Sequence, residues 1–342
     1  MKKTIFKCVS VFLCMMLMSF QILLVEACTS FVVYDGKALY GMNFDFQDTD
    51  LLFSVETVDG IKAFSMAFQA GNEFEPTVRM NDKGLFLSEQ MQFPEMKKIK
   101  ELKGNQYYIG DVGPKVATFE NTASVLKFIG DKQLVNRNVT VHHLIADMVG
   151  EAAVVEAGDT SNRVVKMDGS YMVMTNFTQS DFVGKLTSEI NGIGSDRYRI
   201  ACEILESNLG KMSPELGWDV LNKTMQLGST QCSMLMDPSE KSVKFKLKND
   251  GERIWHLNLE NSIIDGTSTD GTRYQKKLGE GGILASELRM LNPLPPQQSV
   301  EKQQLPQTSN NILIIGVALC IVLVLTVIWM MWKKRESSKG RD

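Results

Sequence analysis

The sequence predicts an α+β fold in which two β-sheets stack between helical layers. Three observations carry this expectation. Tight-turn signals cut the N-terminal part into short paired strands. Segments of helical period follow as separate blocks. Strand blocks then return, so strands and helices alternate in groups rather than one by one, which argues against βαβ units. Strands Thr29–Tyr34 and Ala38–Phe44 flank Asp35-Gly36, and Leu51–Val58 and Lys62–Phe68 flank Asp59-Gly60. Val78–Met80 and Leu85–Gln92 flank Asn81-Asp82-Lys83-Gly84. From Pro114 to Gly130 the apolar residues Val116, Phe119, Ala123, Leu126 and Ile129 recur at three and four, the period of a helix. Val141–Met148, Ala152–Glu156, Val164–Met167 and Tyr171–Thr175 again read as strands. A helix over Arg197–Glu206 follows Gly194, with Ser195 or Asp196 as its cap, and Leu216–Gln226 forms another. Thr230–Met236, Val243–Leu247 and Arg253–Leu259 return to strand.

The two ends of the chain read differently from its middle. Residues 1–27 have the form of a signal peptide: Lys2, Lys3 and Lys7, then an apolar stretch, then Val25-Glu26-Ala27 with small residues at −3 and −1. Signal peptidase is therefore an expected partner. The rival reading is a lipoprotein with Cys28 lipidated, against which Glu26 at −2 speaks. Residues 28–291 form the folded domain, and residues 292–311 a Pro/Gln-rich stalk. Residues 312–332 carry no charge and are long enough for a membrane helix, which needs ~20 residues. The basic tail of residues 333–342 places that end in the cytoplasm and the bulk of the chain outside. Leu305-Pro306-Gln307-Thr308-Ser309, the span and the tail together resemble the cell-wall sorting signal of Gram-positive bacteria. That resemblance implies sortase joining Thr308 to peptidoglycan, although Ser309 stands where the signal has Gly. The alternative is a plain membrane anchor through residues 312–332. Both readings give a tethered protein on the outer face of the cell membrane.

Composition excludes several classes. The chain carries 37 Lys+Arg and 40 Asp+Glu. Leader and tail hold eight of the basic residues and three of the acidic ones, which leaves Cys28–Thr308 at −8. Such a surface does not invite nucleic acid. Only Cys28, Cys202 and Cys232 remain between leader and span, an odd number and no disulfide framework, though one bridge stays open. His142, His143 and His256 form no ligand-spaced cluster, so no metal and no cofactor is expected. There is no G-x-S-x-G elbow, P-loop or dinucleotide fingerprint.

Cys28 carries the chemistry. Cutting the leader at Ala27 would make it the first residue, with a thiol nucleophile and an α-amine base on one residue. Their ordinary pKa values, ~8.5 and ~7.7–8, are well matched near neutral pH. Attack on an amide then gives a tetrahedral oxyanion and an acyl-thioester that water resolves.

Six stretches extend this reading, in order: Cys28-Thr29-Ser30, Gly41-Met42-Asn43-Phe44-Asp45-Phe46, Asn81-Asp82-Lys83-Gly84-Leu85, Asp147-Met148-Val149-Gly150-Glu151 through Glu156, Thr175-Asn176-Phe177, and Ser195-Asp196-Arg197-Tyr198. From Cys28 to about Leu259 the chain resembles the choloylglycine hydrolase and penicillin V acylase group of N-terminal-nucleophile (Ntn) hydrolases. The resemblance implies a four-layer αββα sandwich and hydrolysis of a linear, non-peptide amide of bile-salt, penicillin V or N-acyl type. It implies Asp45 as the partner of the α-amine and Asn176 as an oxyanion donor, a role worth ~2.7–4 kcal/mol elsewhere. Gln92 and Asn43 are further oxyanion or substrate candidates. Two family arginines are missing: Met42 replaces one, and the run Thr230-Gln231-Cys232-Ser233-Met234 lacks the other. Their absence opens a second reading, a tethered surface binding protein with an inactive site.

Overall fold

The computed structural model describes residues 27–295. One compact unit reaches to Leu294 and a second begins at Pro295. The expected signal peptide before Ala27, the stretch Leu305–Ser309, the 312–332 span and the tail lie outside the described residues. Among the described residues, no helix is long and apolar enough to cross a membrane.

The strands, in chain order, are β1 (Thr29–Asp35), β2 (Lys37–Asp45), β3 (Leu51–Val58), β4 (Ile61–Ala70), β5 (Glu73–Asn81), β6 (Phe86–Met91), β7 (Gln106–Tyr108), β8 (Gln133–Val135) and β9 (Val141–Ala146). They continue as β10 (Ala152–Glu156), β11 (Arg163–Lys166), β12 (Tyr171–Met174), β13 (Thr230–Asp237), β14 (Ser242–Leu247), β15 (Ile254–Asn258), β16 (Ile263–Thr267), β17 (Arg273–Lys277) and β18 (Ile283–Leu284). The helices are α1 (Thr122–Gly130), α2 (Ser195–Ser207), α3 (Pro214–Thr224) and α4 (Ala285–Arg289), with a 3₁₀ stretch over Ile109–Thr118.

Two eight-stranded antiparallel sheets form the body. The first runs β12-β1-β2-β13-β14-β15-β16-β17 and the second β11-β10-β9-β6-β5-β4-β3-β18. One shared core lies between them, with Val32, Tyr40 and Met42 from the first sheet meeting Phe64, Phe86 and Leu144 from the second. The opposite face of the first sheet takes α2 and α3: Phe31, Val33 and Leu235 pack on Ala201, Leu205 and Leu221. The opposite face of the second takes α1 and the 3₁₀ stretch, with Leu87 and Ile145 against Val112 and Ile129. The order is helix, sheet, sheet, helix, as the sequence predicts. Both faces of each central strand are therefore covered, so β9 and β10 are buried at every position. This explains why they lack the alternation of a half-exposed strand, and why His142, His143 and Glu156 within them are buried.

Several elements differ from the sequence expectation. The helix expected over Pro114–Gly130 is broken into the 3₁₀ stretch and α1. Pro114 cannot continue an α-helical ladder, and Asn121 restarts the chain by accepting from Ser124 N at 2.9 Å. The strand expected to reach Met148 stops at Ala146, because Asp147 folds a turn and accepts from the amides of Val149 and Glu151. Neither Ser195 nor Asp196 caps α2; Gly194 does, with φ 83°. The sheets do not end near Leu259. β16 extends the first, with Ile264 in the shared core, and β17 follows with largely exposed polar residues. β18 and α4 close the edge of the second, with Ala285 and Leu288 inside the shared core.

The hairpin β1–β2 lies between β12 and β13, and this placement decides where chemistry can occur. In register, Ser30 stands opposite Met174, Thr29 opposite Asn43, and Asp45 opposite Thr230. The start of β1, the ends of β2 and β12 and the start of β13 thus meet at one end of the sheet. Gly41 in β2 has no room for a side chain: a Cβ there would lie 2.2 Å from the ring of Phe31, itself fully buried. Gly41→Ala should lower unfolding stability by about 1–3 kcal/mol through this overpacking, measured by denaturant titration.

Candidate active site

Cys28 directly precedes β1 and is 7% exposed. Its side chain turns towards the space between the sheets, where its Sγ lies 3.8 Å from the carbonyl oxygen of Asp45. Ala27 before it is equally enclosed, and its carbonyl accepts from Gln226 Nε2 at 2.8 Å. The chain described is thus one in which the nitrogen of Cys28 is still an amide.

Arg197 organises the cluster. It rises from the first turn of α2, is 6% exposed, and donates through Nη1 to the Cys28 carbonyl at 2.5 Å and to Thr29 Oγ1 at 2.6 Å. Its Nη2 donates to Asn176 Oδ1 at 3.0 Å, and its guanidinium lies 3.9 Å from Asp45 Oδ2. Gly194 permits this approach, because a Cβ there would sit 2.6 Å from Arg197 Nη2. Arg197 lies in the Ser195–Tyr198 stretch that carried the resemblance, yet no role for it follows from composition or period. A buried arginine in the opening turn of a helix was the available signal.

Asp45 ends β2 and is almost wholly buried. Its Oδ1 accepts a hydrogen bond from Thr230 Oγ1, while its Oδ2 accepts none among the described residues. Burial pushes its carboxyl up to about 7, against the opposing effects of the Thr230 hydroxyl and the Arg197 charge. A further positive charge beside this carboxylate would relieve that cost.

Asn176 follows β12. Its Nδ2 donates to the Met91 carbonyl at 2.7 Å, which leaves a second amide hydrogen. Its backbone is clamped to the strand end after β6, with Phe93 N donating to Asn176 O at 2.6 Å and Thr178 N to Phe93 O at 3.2 Å. The structure thus brings Cys28, Asp45 and Asn176 together through Arg197.

The two remaining candidates sit elsewhere. Gln92 Nε2 donates to Thr178 Oγ1 at 2.9 Å and so braces the Asn176 segment from behind. Gln90, two residues earlier, reaches the Cys28 segment instead. With its amide oriented to satisfy both ends, it donates to Cys28 O at 3.3 Å and Thr175 O at 3.2 Å. Asn43 is not part of the cluster. It donates to Leu221 O at 2.8 Å and accepts from Ser233 Oγ at 2.7 Å, pinning α3 to the first sheet.

Met42 is fully buried in the core between the sheets. Gln231 spends its amide on the carbonyls of Phe46 and Ser229. Cys202 and Cys232 face opposite sides of the first sheet, so they do not bridge. Burial pushes the Cys202 thiol up to about 12 and the Cys232 thiol higher still, which makes both poor nucleophiles. Among the described residues, no group of three or more His, Cys, Asp or Glu side chains could hold a metal.

No protein-family model matches the sequence, and no curated protein matches it. Solved structures do. A variant of the conjugated bile acid hydrolase from Clostridium perfringens aligns with a TM-score of 0.53 at 14% identity, over 75% of this chain and 98% of that one. Penicillin V acylase from Agrobacterium tumefaciens gives 0.53 at 16% identity, over 79% and 98%. This chain has their fold. The likeness covers nearly the whole of either hydrolase, so the four-layer arrangement expected from the sequence is borne out.

The Asp45 environment has a measurable consequence while Ala27 remains attached. The folded carboxyl holds its proton more tightly than the unfolded one. Its contribution to stability is therefore fully present below the ordinary carboxylate pKa and is lost as pH rises through about 7. In the chain that keeps Ala27, Asp45→Asn should flatten this fall in Tm between acid and neutral pH.

Proposed function

We propose that this protein is an amidase whose nucleophile is an N-terminal Cys28, exposed by removal of the leader, and that it hydrolyses a linear, non-peptide amide. The observation that carries the reading is the buried constellation of Cys28, Asp45 and Asn176 around Arg197, at the head of β1. The fold shared with two amide hydrolases supports it.

The chemistry follows from these residues. Cleavage after Ala27 replaces a neutral amide nitrogen with an amine. The amine takes the thiol proton as Sγ attacks the substrate carbonyl, and the resulting ammonium is charge-balanced by Asp45, whose Oδ2 accepts no hydrogen bond among the described residues. Charge on that ammonium stabilises the ionised carboxylate that burial otherwise opposes. The negative charge that develops on the carbonyl oxygen is met by the second amide hydrogen of Asn176, whose orientation Arg197 fixes through Oδ1. The ammonium returns its proton to the leaving amine, an acyl-thioester forms on Sγ, and water then releases the acid and regenerates the thiol.

With Met42 in place of one arginine and none in the run Thr230–Met234, an anionic leaving group is not required, and neutral N-acyl amides join bile-salt and penicillin V types as substrates. We also propose that the enzyme works outside the cell, released from its leader by signal peptidase. There it is tethered by the 312–332 segment or joined to peptidoglycan at Thr308.

The test is a panel of a glycine-conjugated bile acid, penicillin V and a neutral N-acyl aminocoumarin amide, offered to the chain that begins at Cys28. At least one should be hydrolysed, Cys28→Ala should abolish that turnover while keeping the native circular dichroism, and a chain retaining Ala27 should be silent. Turnover that survives Cys28→Ala would refute the mechanism; a protein that binds but cleaves none of the panel would favour the inactive binding reading.

A further inference from the structure

Glu156 ends β10 and is fully buried, as is His142 of β9. Neither takes part in the chemistry above. Both face the first sheet, because their strand neighbours of the same parity, Leu144 and Val154, lie in the shared core. Gln90, His142 and Glu156 stand side by side across β6, β9 and β10 in register. This row crosses the interior directly behind the Asn176 segment.

Its two ends grip that segment on either side of Asn176. Gln90, with its amide satisfied at both ends, holds the carbonyl of Thr175. Glu156 Oε1 accepts from the amide of Gln179 at 2.6 Å and Oε2 from that of Ser180 at 3.3 Å. The Gln179 side chain ties back to Val173 O at 3.0 Å. His142 Nδ1 lies 3.6 Å from Glu156 Oε1. A buried carboxylate is costly unless it is compensated. Burial raises the pKa of Glu156, but His142 and the Ser180 and Gln179 contacts outweigh it and hold the carboxyl below its usual value. An ionised acceptor therefore closes the turn that leaves Asn176. Charge-assisted bonds of this kind are about twice as strong as neutral ones.

We propose that Glu156 is a positioning residue for Asn176: its carboxylate anchors the amides of Gln179 and Ser180 and so fixes the Asn176 amide towards the oxyanion. The proposal rests on the amidase reading for its catalytic half and on geometry alone for its structural half. A glutamine at this position has one acceptor oxygen for two amide donors, and its own NH₂ opposes one of them.

The experiment combines a mutant cycle with amide exchange, using the chain that begins at Cys28 and whichever panel amide it cleaves. Glu156→Gln should lower kcat tenfold or more, towards about a hundredfold, with KM changed by less than about threefold, as expected for misplacement of a transition-state donor. In an Asn176→Ala background the same change should cost nothing further. Amide exchange across residues 175–183 should speed up in Glu156→Gln while the β4–β5 hairpin stays protected. Additive losses in the cycle, or unchanged exchange in that segment, would overturn the proposal. If the unmodified chain cleaves nothing yet Glu156→Gln still loosens residues 175–183, the anchoring stands and the amidase reading falls.

Discussion

The guanidinium of Arg197 is the interaction on which the site depends. It is buried at the seam between α2 and the first sheet, and its two terminal nitrogens donate to two chain segments far apart in sequence, Cys28-Thr29 and Asn176, while lying 3.9 Å from Asp45 on a third. A planar fork with several fixed donors suits this task, where a lysine offers a single point charge. Removing it would leave the Cys28 carbonyl, the Thr29 hydroxyl and the Asn176 oxygen without a shared donor. It would also deprive Asp45 of its nearby cation. Arg197 therefore links the position of Cys28 to that of Asn176. The layer of helices over the first sheet is then more than a cover for apolar surface, since α2 delivers the charge that assembles the site.

The strand order supplies the frame. Because β1 and β2 are inserted between β12 and β13, four strand ends converge without a long loop. Neighbouring strands lie roughly 4.8 Å apart, so side chains at these ends meet through the pleat itself. Both faces of the sheet are packed, which excludes water and makes each hydrogen bond in the cluster count for more. The same dryness makes Asp45 hard to ionise and leaves Cys202 and Cys232 inert as nucleophiles.

Much of this was legible in the sequence, for identifiable reasons. The three hairpins of the N-terminal part were signalled by turn residues whose φ values are positive in the fold, among them Gly36, Asp59, Gly60 and Gly84. Cys28, Asp45 and Asn176 could be marked from motif order, and the fold draws them into one cluster. The break between the 3₁₀ stretch and α1 was hidden because apolar spacing persists through Phe119 while the backbone does not. β16, β17 and α4 were hidden because a five-residue strand interrupted by Asp265-Gly266, a polar edge strand and a five-residue helix carry too few apolar positions to show a period. The exchange between Gln92 and Gln90 was beyond reach, because their register against β1 is set by sheet stacking and not by anything local. Asn43 was misread for a similar reason: alternation along β2 turns it to the helical side, where α3 waits.

The enclosure of Ala27 bears on how such a protein is made in the laboratory. Its carbonyl already has a donor in Gln226, and the residue fits without displacing a strand. Folding and competence are thereby separable: spectroscopy on a chain with an extra residue ahead of Cys28 reports a native protein regardless of whether it can turn over. On the proposed reading, recombinant material needs Cys28 as its first residue, generated by a protease that leaves nothing behind, before a negative assay carries any weight.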